Sequence, residues 1–385
     1  MLREIITSFS LKHLANPYVE GNFYVVFWEE NKVRNVNQSA SGAYSKPRFL
    51  AEDRLQIKQL INLSVPSKSE EDAGNDVIQG LTHSFKTLPP KYFYDDPGSK
   101  LFEQICELSE YYPTRTETEI LRQYAGEIAQ ITGACELVEL GSGSSTKTRT
   151  LLNAYEALNY PLRYLPIDVS SGILKSSAEQ LLRDYPSLQI LGLVSTYELA
   201  LQQLMPTQLP TRMIFFLGST LGNLNRQECD AFFSQITAAL SVGEYFLLGV
   251  DLQKSKQLLE AAYNDSQGVT AEFNLNMLKH LNRRFEGNFD TEQFEHWAFY
   301  NENLHQIEMH LRSLRAQTVR LKALDLSVNF EAGETILTEI SRKFNLNVVQ
   351  QELEAKSLKP LQVWTDSKQW FGVILCQMQP KGINQ

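Results

Sequence analysis

Apolar and polar residues alternate differently in successive parts of the chain, and each pattern predicts a different kind of element. Between Glu52 and Leu63 the spacing of Leu55, Ile57, Leu60 and Ile61 predicts a helix, which the polar run from Pro66 to Asp72 ends. After Pro89-Pro90 come the aromatic run Tyr92-Phe93-Tyr94, a turn over Asp95 to Gly98, a helix through Leu101, Phe102 and Ile105, and a stop at Tyr111-Tyr112-Pro113. Tyrosines so dense in a polar stretch suggest the wall of a ligand site. Upstream, residues 1–51 hold one β-prone burst, Phe23 to Trp28, and a polar stretch, Asn35 to Gly42. They read as a loosely attached extension, prone to disorder and dispensable, with no function assigned.

From Thr116 onward the pattern becomes an alternation of helix and strand: a helix to about Ile131, the apolar run Leu137 to Leu140, a glycine turn, and a helix through Thr150, Leu151 and Leu152. Further strands are expected at Tyr164 to Ile167, Leu188 to Leu191, Arg212 to Leu217 and Tyr245 to Val250. This order predicts an α/β fold with a doubly wound, mostly parallel, Rossmann-like sheet. Beyond Asp251 a long helical stretch, the charged segment Asn282 to Glu286, and strand-like runs over Glu308 to Arg315 and Thr318 to Leu326 read as an insertion. Phe371 to Cys376 reads as a buried strand that returns to the sheet.

Composition narrows the partners. At 385 residues and 43% hydrophobic content the chain is long enough for two domains. Its 36 basic against 45 acidic residues, net charge -9, disfavour a polyanion such as nucleic acid, so a small ligand is expected. Cys106, Cys135, Cys229 and Cys376 are far apart and form no C-x-x-C pair, which suits a reducing cytoplasm. No apolar run approaches the roughly 20 residues that span a bilayer, so no membrane partner is expected. The six histidines form no ligand pair and no metal is expected; Glu295-His296 resembles an acid/base pair but reads as structural. A monomer is expected.

The strongest chemical signal is Glu139-Leu140-Gly141-Ser142-Gly143-Ser144-Ser145, placed between an expected strand and an expected helix. Its glycines let the backbone turn tightly and approach a nucleotide-like ligand. A dinucleotide fingerprint wants a further glycine where this loop has serine and threonine, which favours a methyltransferase using S-adenosylmethionine over a dehydrogenase. At the end of the next strand Asp168 is placed to accept hydrogen bonds from both ribose hydroxyls; its alternative role is a helix N-cap.

Four longer segments go further: Leu88 to Asp95, Glu110 to Glu117, Phe216 to Asn223 and Leu337 to Ser341. Together they resemble the L-histidine Nα-methyltransferase family of ergothioneine biosynthesis, over a match running from about Glu52 to the C-terminus. The resemblance implies a methyltransferase domain over residues 116–251 and 343–385, and a second, α+β substrate-binding domain over 52–115 and 252–342. It implies that Tyr94, Gly141, Lys147 and Asp168 hold S-adenosylmethionine, Lys147 through the carboxylate of the methionine arm. Where the family carries an Asp and an aromatic for the adenine, this chain has Thr196-Tyr197; Tyr197 can stack, but Thr196 offers only a hydroxyl. For the amino acid the resemblance implies Phe102, Tyr111, Gly218, Asn223, Tyr263, Met309, Glu339 and Ser341, with Glu339 and Ser341 reading the imidazole.

Singly, such residues have plainer roles: buried tyrosines are usually core, and methionine usually fills gaps. Glu339 and Ser341, two apart on a strand, share a face, as gripping one small ring requires. Methyl transfer from a sulfonium is an in-line displacement whose catalyst aligns a neutral amine, so Tyr94, directly or through a water, is the candidate for proton removal, with Asn223 beside it. The product expected is the trimethylated betaine, hercynine. Other readings stay open: an Nα-methyltransferase for another amino acid such as tryptophan, a non-catalytic S-adenosylmethionine-binding module, and a nicotinamide oxidoreductase.

Overall fold

The computed structural model describes residues 54–60 and 74–380. The burst Phe23 to Trp28, the stretch Asn35 to Gly42 and the run Pro66 to Asp72 lie outside the described residues. In chain order the first elements are β1 (Leu55–Gln59), α1 (Asn75–Thr82), β2 (Lys86–Thr87), α2 (Asp96–Glu107) and α3 (Tyr112–Thr132). The alternating part follows: β3 (Cys135–Leu140), α4 (Thr148–Ala157), β4 (Arg163–Asp168), α5 (Ser171–Asp184), β5 (Gln189–Val194), α6 (Tyr197–Gln202), β6 (Thr211–Phe216), α7 (Arg226–Ala239) and β7 (Tyr245–Asp251). Next come α8 (Lys256–Ala261), α9 (Val269–Phe285), β8 (Phe294–Asn301), β9 (Gln306–Ser313), β10 (Gln317–Leu321), β11 (Leu326–Phe330) and β12 (Thr335–Arg342). The chain closes with α10 (Leu346–Ala355), β13 (Leu358–Thr365) and β14 (Phe371–Met378).

The main sheet has eight strands in the order β1-β5-β4-β3-β6-β7-β14-β13. The strands from β1 to β7 in that order pair in parallel, and β14 and β13 close the far edge antiparallel. After the edge strand β1 the chain passes to the central β3, winds outward through β4 and β5, then crosses back to β6, so the strand order reverses beside the C-terminal ends of β3 and β6. Ligands of doubly wound sheets bind at that point. Buried strands covered on both faces are mostly apolar, and successive residues serve opposite faces. Leu137, Met213 and Phe215 join α3 and α4 in one core; Val138, Ile214 and Phe216 join α6, α7 and α10 in the other.

A second lobe has its own core, in which α9 packs against the four-stranded sheet β2-β12-β9-β8 and α2 packs on α9. β12 runs antiparallel to β9 with one irregularity between Leu337 and Glu339.

Three expectations change. Leu55–Gln59 is a strand rather than part of a helix, pairing in parallel with β5 from Leu55↔Ile190 to Gln59↔Val194. Leu55 and Ile57 also satisfy an alternating pattern, and an open sheet edge decides between two periods that five residues cannot separate. This segment therefore joins the main sheet instead of the substrate lobe. Tyr112-Pro113 begins α3 rather than ending the preceding element, because proline in a first helical turn loses no hydrogen bond. Phe294–Asn301, for which no element was expected, is a strand of the second lobe and carries Glu295-His296.

Candidate functional site

At the end of β3 the backbone turns through Gly141 (φ +71°) and Gly143 (φ +49°), and a Cβ at either position would meet no atom within 4 Å. The loop thus opens a backbone-lined cradle that side chains would fill. Asp168 fixes it: its carboxylate accepts from the Gly143 N–H and from the Ser170 N–H, both at 2.9 Å. Ser170, not Asp168, caps α5. Each Asp168 oxygen keeps a lone pair for a ligand hydroxyl. The hydroxyls of Ser142 and Ser195, at the ends of β3 and β5, are buried without a partner, an arrangement that polar ligand groups would complete. A glycine cradle, a ribose-competent carboxylate and two orphaned hydroxyls fit S-adenosylmethionine.

The remaining cofactor candidates are placed less uniformly. Thr196 caps α6, its hydroxyl accepting from Leu199 N–H at 3.5 Å. Tyr197 packs beside Phe216 and Phe232. Lys147 is ion-paired with the fully buried Glu117, which also accepts from the Gly218 N–H at 2.8 Å. That relay ties the glycine loop to the substrate side. Glu139 faces into the sheet instead, bonded to Thr148 at 2.5 Å and to Tyr164, and burial raises its carboxyl to about 7.

Across the sheet's C-terminal edge lies a cleft. From the segment around α2 it receives Tyr94, Phe102 and Tyr111; from the turn after β6, Gly218 and Asn223. Tyr263 comes from the end of α8, and Glu339 and Ser341 from β12. The turn and β12 approach so closely that a Cβ on Gly222 would stand 2.9 Å from the Arg342 carbonyl. The irregularity in β12 makes Thr338 the extra residue, with its hydroxyl donating to Asn274 Oδ1 at 2.8 Å, and it re-aims Glu339. Met309 stands opposite Glu339 in register and is buried in the lobe core; it is not among the cleft-lining residues.

Asn223 donates to the Ile340 carbonyl at 2.9 Å and to Glu339, which leaves its own carbonyl oxygen free. Burial raises Glu339 to about 7, opposed by Lys343 and by Asn223. Tyr94 lines the cleft and is 47% exposed as a residue, while burial of its hydroxyl, with Glu339 nearby, holds its phenol far above the ordinary range. Near neutral pH it keeps its proton. Tyr111 is held high by burial too, its ring edge-on to Tyr263 at 6.1 Å.

Sequence reasoning missed the cleft's charged floor. Lys343 Nζ lies 2.9 Å from Asp251 Oδ2, and Asp251 also binds Lys254 at 2.5 Å and Tyr112 at 2.7 Å. Burial disfavours the Lys343 ammonium, yet Asp251 and Tyr263 hold its pKa above the ordinary lysine value. Extending the alternation Glu339, Ser341 by one step reaches Lys343, so a signal for it existed; Glu117 and Asp251 have none. His296 lies behind the cleft, bonded to Asn274 and to the Tyr263 carbonyl at 2.8 Å, which is a structural role. Among the described residues no group of His, Cys, Asp and Glu could hold a metal ion.

A doubly wound sheet with a glycine cradle, an acidic side chain on the next strand and a polar cleft at the strand-order reversal defines a methyltransferase that uses S-adenosylmethionine. The chain belongs to the family of histidine-specific, S-adenosylmethionine-dependent methyltransferases, which matches residues 73–378. It is 44% identical to a histidine N-alpha-methyltransferase of Mycolicibacterium smegmatis, over 82% of this chain and 98% of that one. It is 43% identical to the corresponding enzyme of Mycobacterium tuberculosis, over 82% and 99%. An L-tryptophan methyltransferase of Psilocybe serbica is more distant, at 27% over 76% and 89%.

Proposed function

We propose that this enzyme methylates the α-amino nitrogen of free L-histidine, through to the trimethylated betaine hercynine. The observation that carries the reading is the alternation of Glu339 and Ser341 along β12 in a cleft that the phenols of Tyr94, Tyr111 and Tyr263 also line. A carboxylate and a hydroxyl on one strand face suit a ring with two nitrogens. Phe102 supplies an apolar side to that ring.

When bound, S-adenosylmethionine supplies an electrophilic methyl group on a sulfonium. The chain's own residues align the amine. A peptide α-amine titrates near 8, so an appreciable neutral fraction exists at slightly alkaline pH and the site need only select it. The free carbonyl oxygen of Asn223 and the phenol oxygen of Tyr94 can each accept from the amine N–H, which aims the lone pair away from both. Tyr111 supplies a donor for the substrate carboxylate. The substrate is a small molecule rather than a nucleic acid, and we take the active form to be a monomer. The four cysteines are unpaired, in keeping with a reducing cytoplasm.

The test is incubation of purified protein with S-adenosylmethionine and a panel of free amino acids, followed by mass spectrometry. Serial methyl additions to histidine above all others are expected. Preferential methylation of tryptophan or another amino acid overturns the reading.

A further inference from the structure

Lys343 is a buried ammonium in the floor of the cleft whose hydrogen bonds all go to protein groups. Its three N–H groups are committed: to Asp251 Oδ2 at 2.9 Å, Tyr263 Oη at 3.0 Å and Ser341 Oγ at 2.9 Å. A saturated ammonium has no hydrogen left for a substrate carboxylate. It does constrain its neighbour. Ser341 Oγ accepts from Lys343 and from Tyr263 O–H at 2.8 Å, so both of its lone pairs are occupied. Its own proton is then the only group it can offer the cleft that it lines.

We propose that Lys343, anchored by Asp251, is a positioning residue that fixes Ser341 as a hydrogen-bond donor, so that the ring atom facing Ser341 must be an unprotonated nitrogen. This rests on histidine as substrate and deepens that reading. Glu339, two residues away on the same strand face, can only accept when ionised, and so demands a ring N–H. A fixed donor beside an acceptor matches one tautomer of the neutral imidazole. It opposes an imidazolium, with N–H on both sides, and an indole, which has no bare nitrogen. Because Asp251 holds Lys343 protonated, the polarity of Ser341 does not reverse across the working pH range.

The discriminating probe is pyrrolylalanine, which keeps a ring N–H but replaces the bare nitrogen with C–H. Sites built to hydrogen-bond a substrate atom reject analogues lacking it, so the parent should prefer histidine by about 10- to 100-fold in kcat/KM. Lys343→Met should bring that ratio to within about threefold by freeing Ser341 to rotate, while calorimetry shows parental affinity for S-adenosylmethionine. Lys343→Arg, which keeps charge and donors, should restore most of the preference. Ser341→Ala, which leaves the Lys343–Asp251 pair in place, should abolish it and covers the case in which Lys343→Met does not fold. A folded, cofactor-binding Lys343→Met with the parental ratio, or an unchanged ratio in Ser341→Ala, overturns the proposal. Parental turnover of histidine in the same assay is scored separately: its absence sinks the functional reading, whereas an altered ratio bears only on Lys343.

Discussion

The two halves of the site are built by opposite means. At the end of β3 the ligand surface is mostly backbone: two glycines at positive φ, N–H groups held by Asp168, and two unpartnered serine hydroxyls. Across the sheet edge the cleft is made of side chains, and its floor is a buried network in which Asp251 compensates Lys343 and Lys254. A backbone cradle depends on few residues and tolerates changes at the others. A side-chain network fails or changes specificity with one substitution, because each deletion strands a buried polar partner.

The largest effect expected on the cradle is therefore at its one anchoring side chain. Asp168→Ala removes two charge-assisted backbone bonds as well as the acceptor for the ribose, and each such bond is worth roughly 1.5–3 kcal/mol. Affinity for S-adenosylmethionine should fall by about 100-fold or more, measured by calorimetry. Near-parental binding would mean that the loop shapes itself without Asp168.

In the cleft, Glu339→Ala should lower kcat/KM for histidine by about 10- to 150-fold while cofactor affinity hardly changes. The space released, with Phe102 as an apolar wall, should admit tryptophan relatively better than the parent does. A variant that methylates histidine at the parental rate would place the ring elsewhere.

Glu339→Gln asks what the same carboxylate does to stability. Its carboxyl titrates at about 7 in the fold against an ordinary 4.5. Below pH 4.5 both states are protonated and nothing is lost; as pH rises to 7 the unfolded chain gives up its proton first, and folding loses on the order of 3 kcal/mol. Water in the cleft reduces that figure. Glutamine mimics the protonated form, so thermal melts of Glu339→Gln should match the parent at pH 4 and exceed it at pH 8. Equal melts at both would show that Glu339 carries no stability cost.

The same contrast explains what was legible in the sequence. Glycines between a strand and a helix are contiguous, and so are the strands around them; β3 to β7 and β14 follow from local apolar runs. The substrate residues are scattered from Tyr94 to Ser341 and came from longer motifs rather than from periodicity. The alternation of Glu339 and Ser341 extends to Lys343, but the roles of Glu117 and Asp251 arise only when α3, β7 and the end of β12 converge. Leu55–Gln59 was misread for a different reason: five residues satisfy two periods, and the partner strand lies more than 130 positions away.

The smallest change expected tests how permissive the cradle is. Thr196 caps α6 with a long hydrogen bond of 3.5 Å, and aspartate caps helices at least as well as threonine, so Thr196→Asp should cost the fold nothing. If the adenine amino group lies beside this position, a carboxylate accepts from it more strongly than a hydroxyl, by about 1 kcal/mol. Affinity for S-adenosylmethionine should then rise about threefold to tenfold, with histidine selectivity untouched. The melting temperature serves as the control for folding. With parental melting, unchanged or weaker binding by calorimetry would remove Thr196 from the adenine site, and its part in this chain would be the helix cap alone.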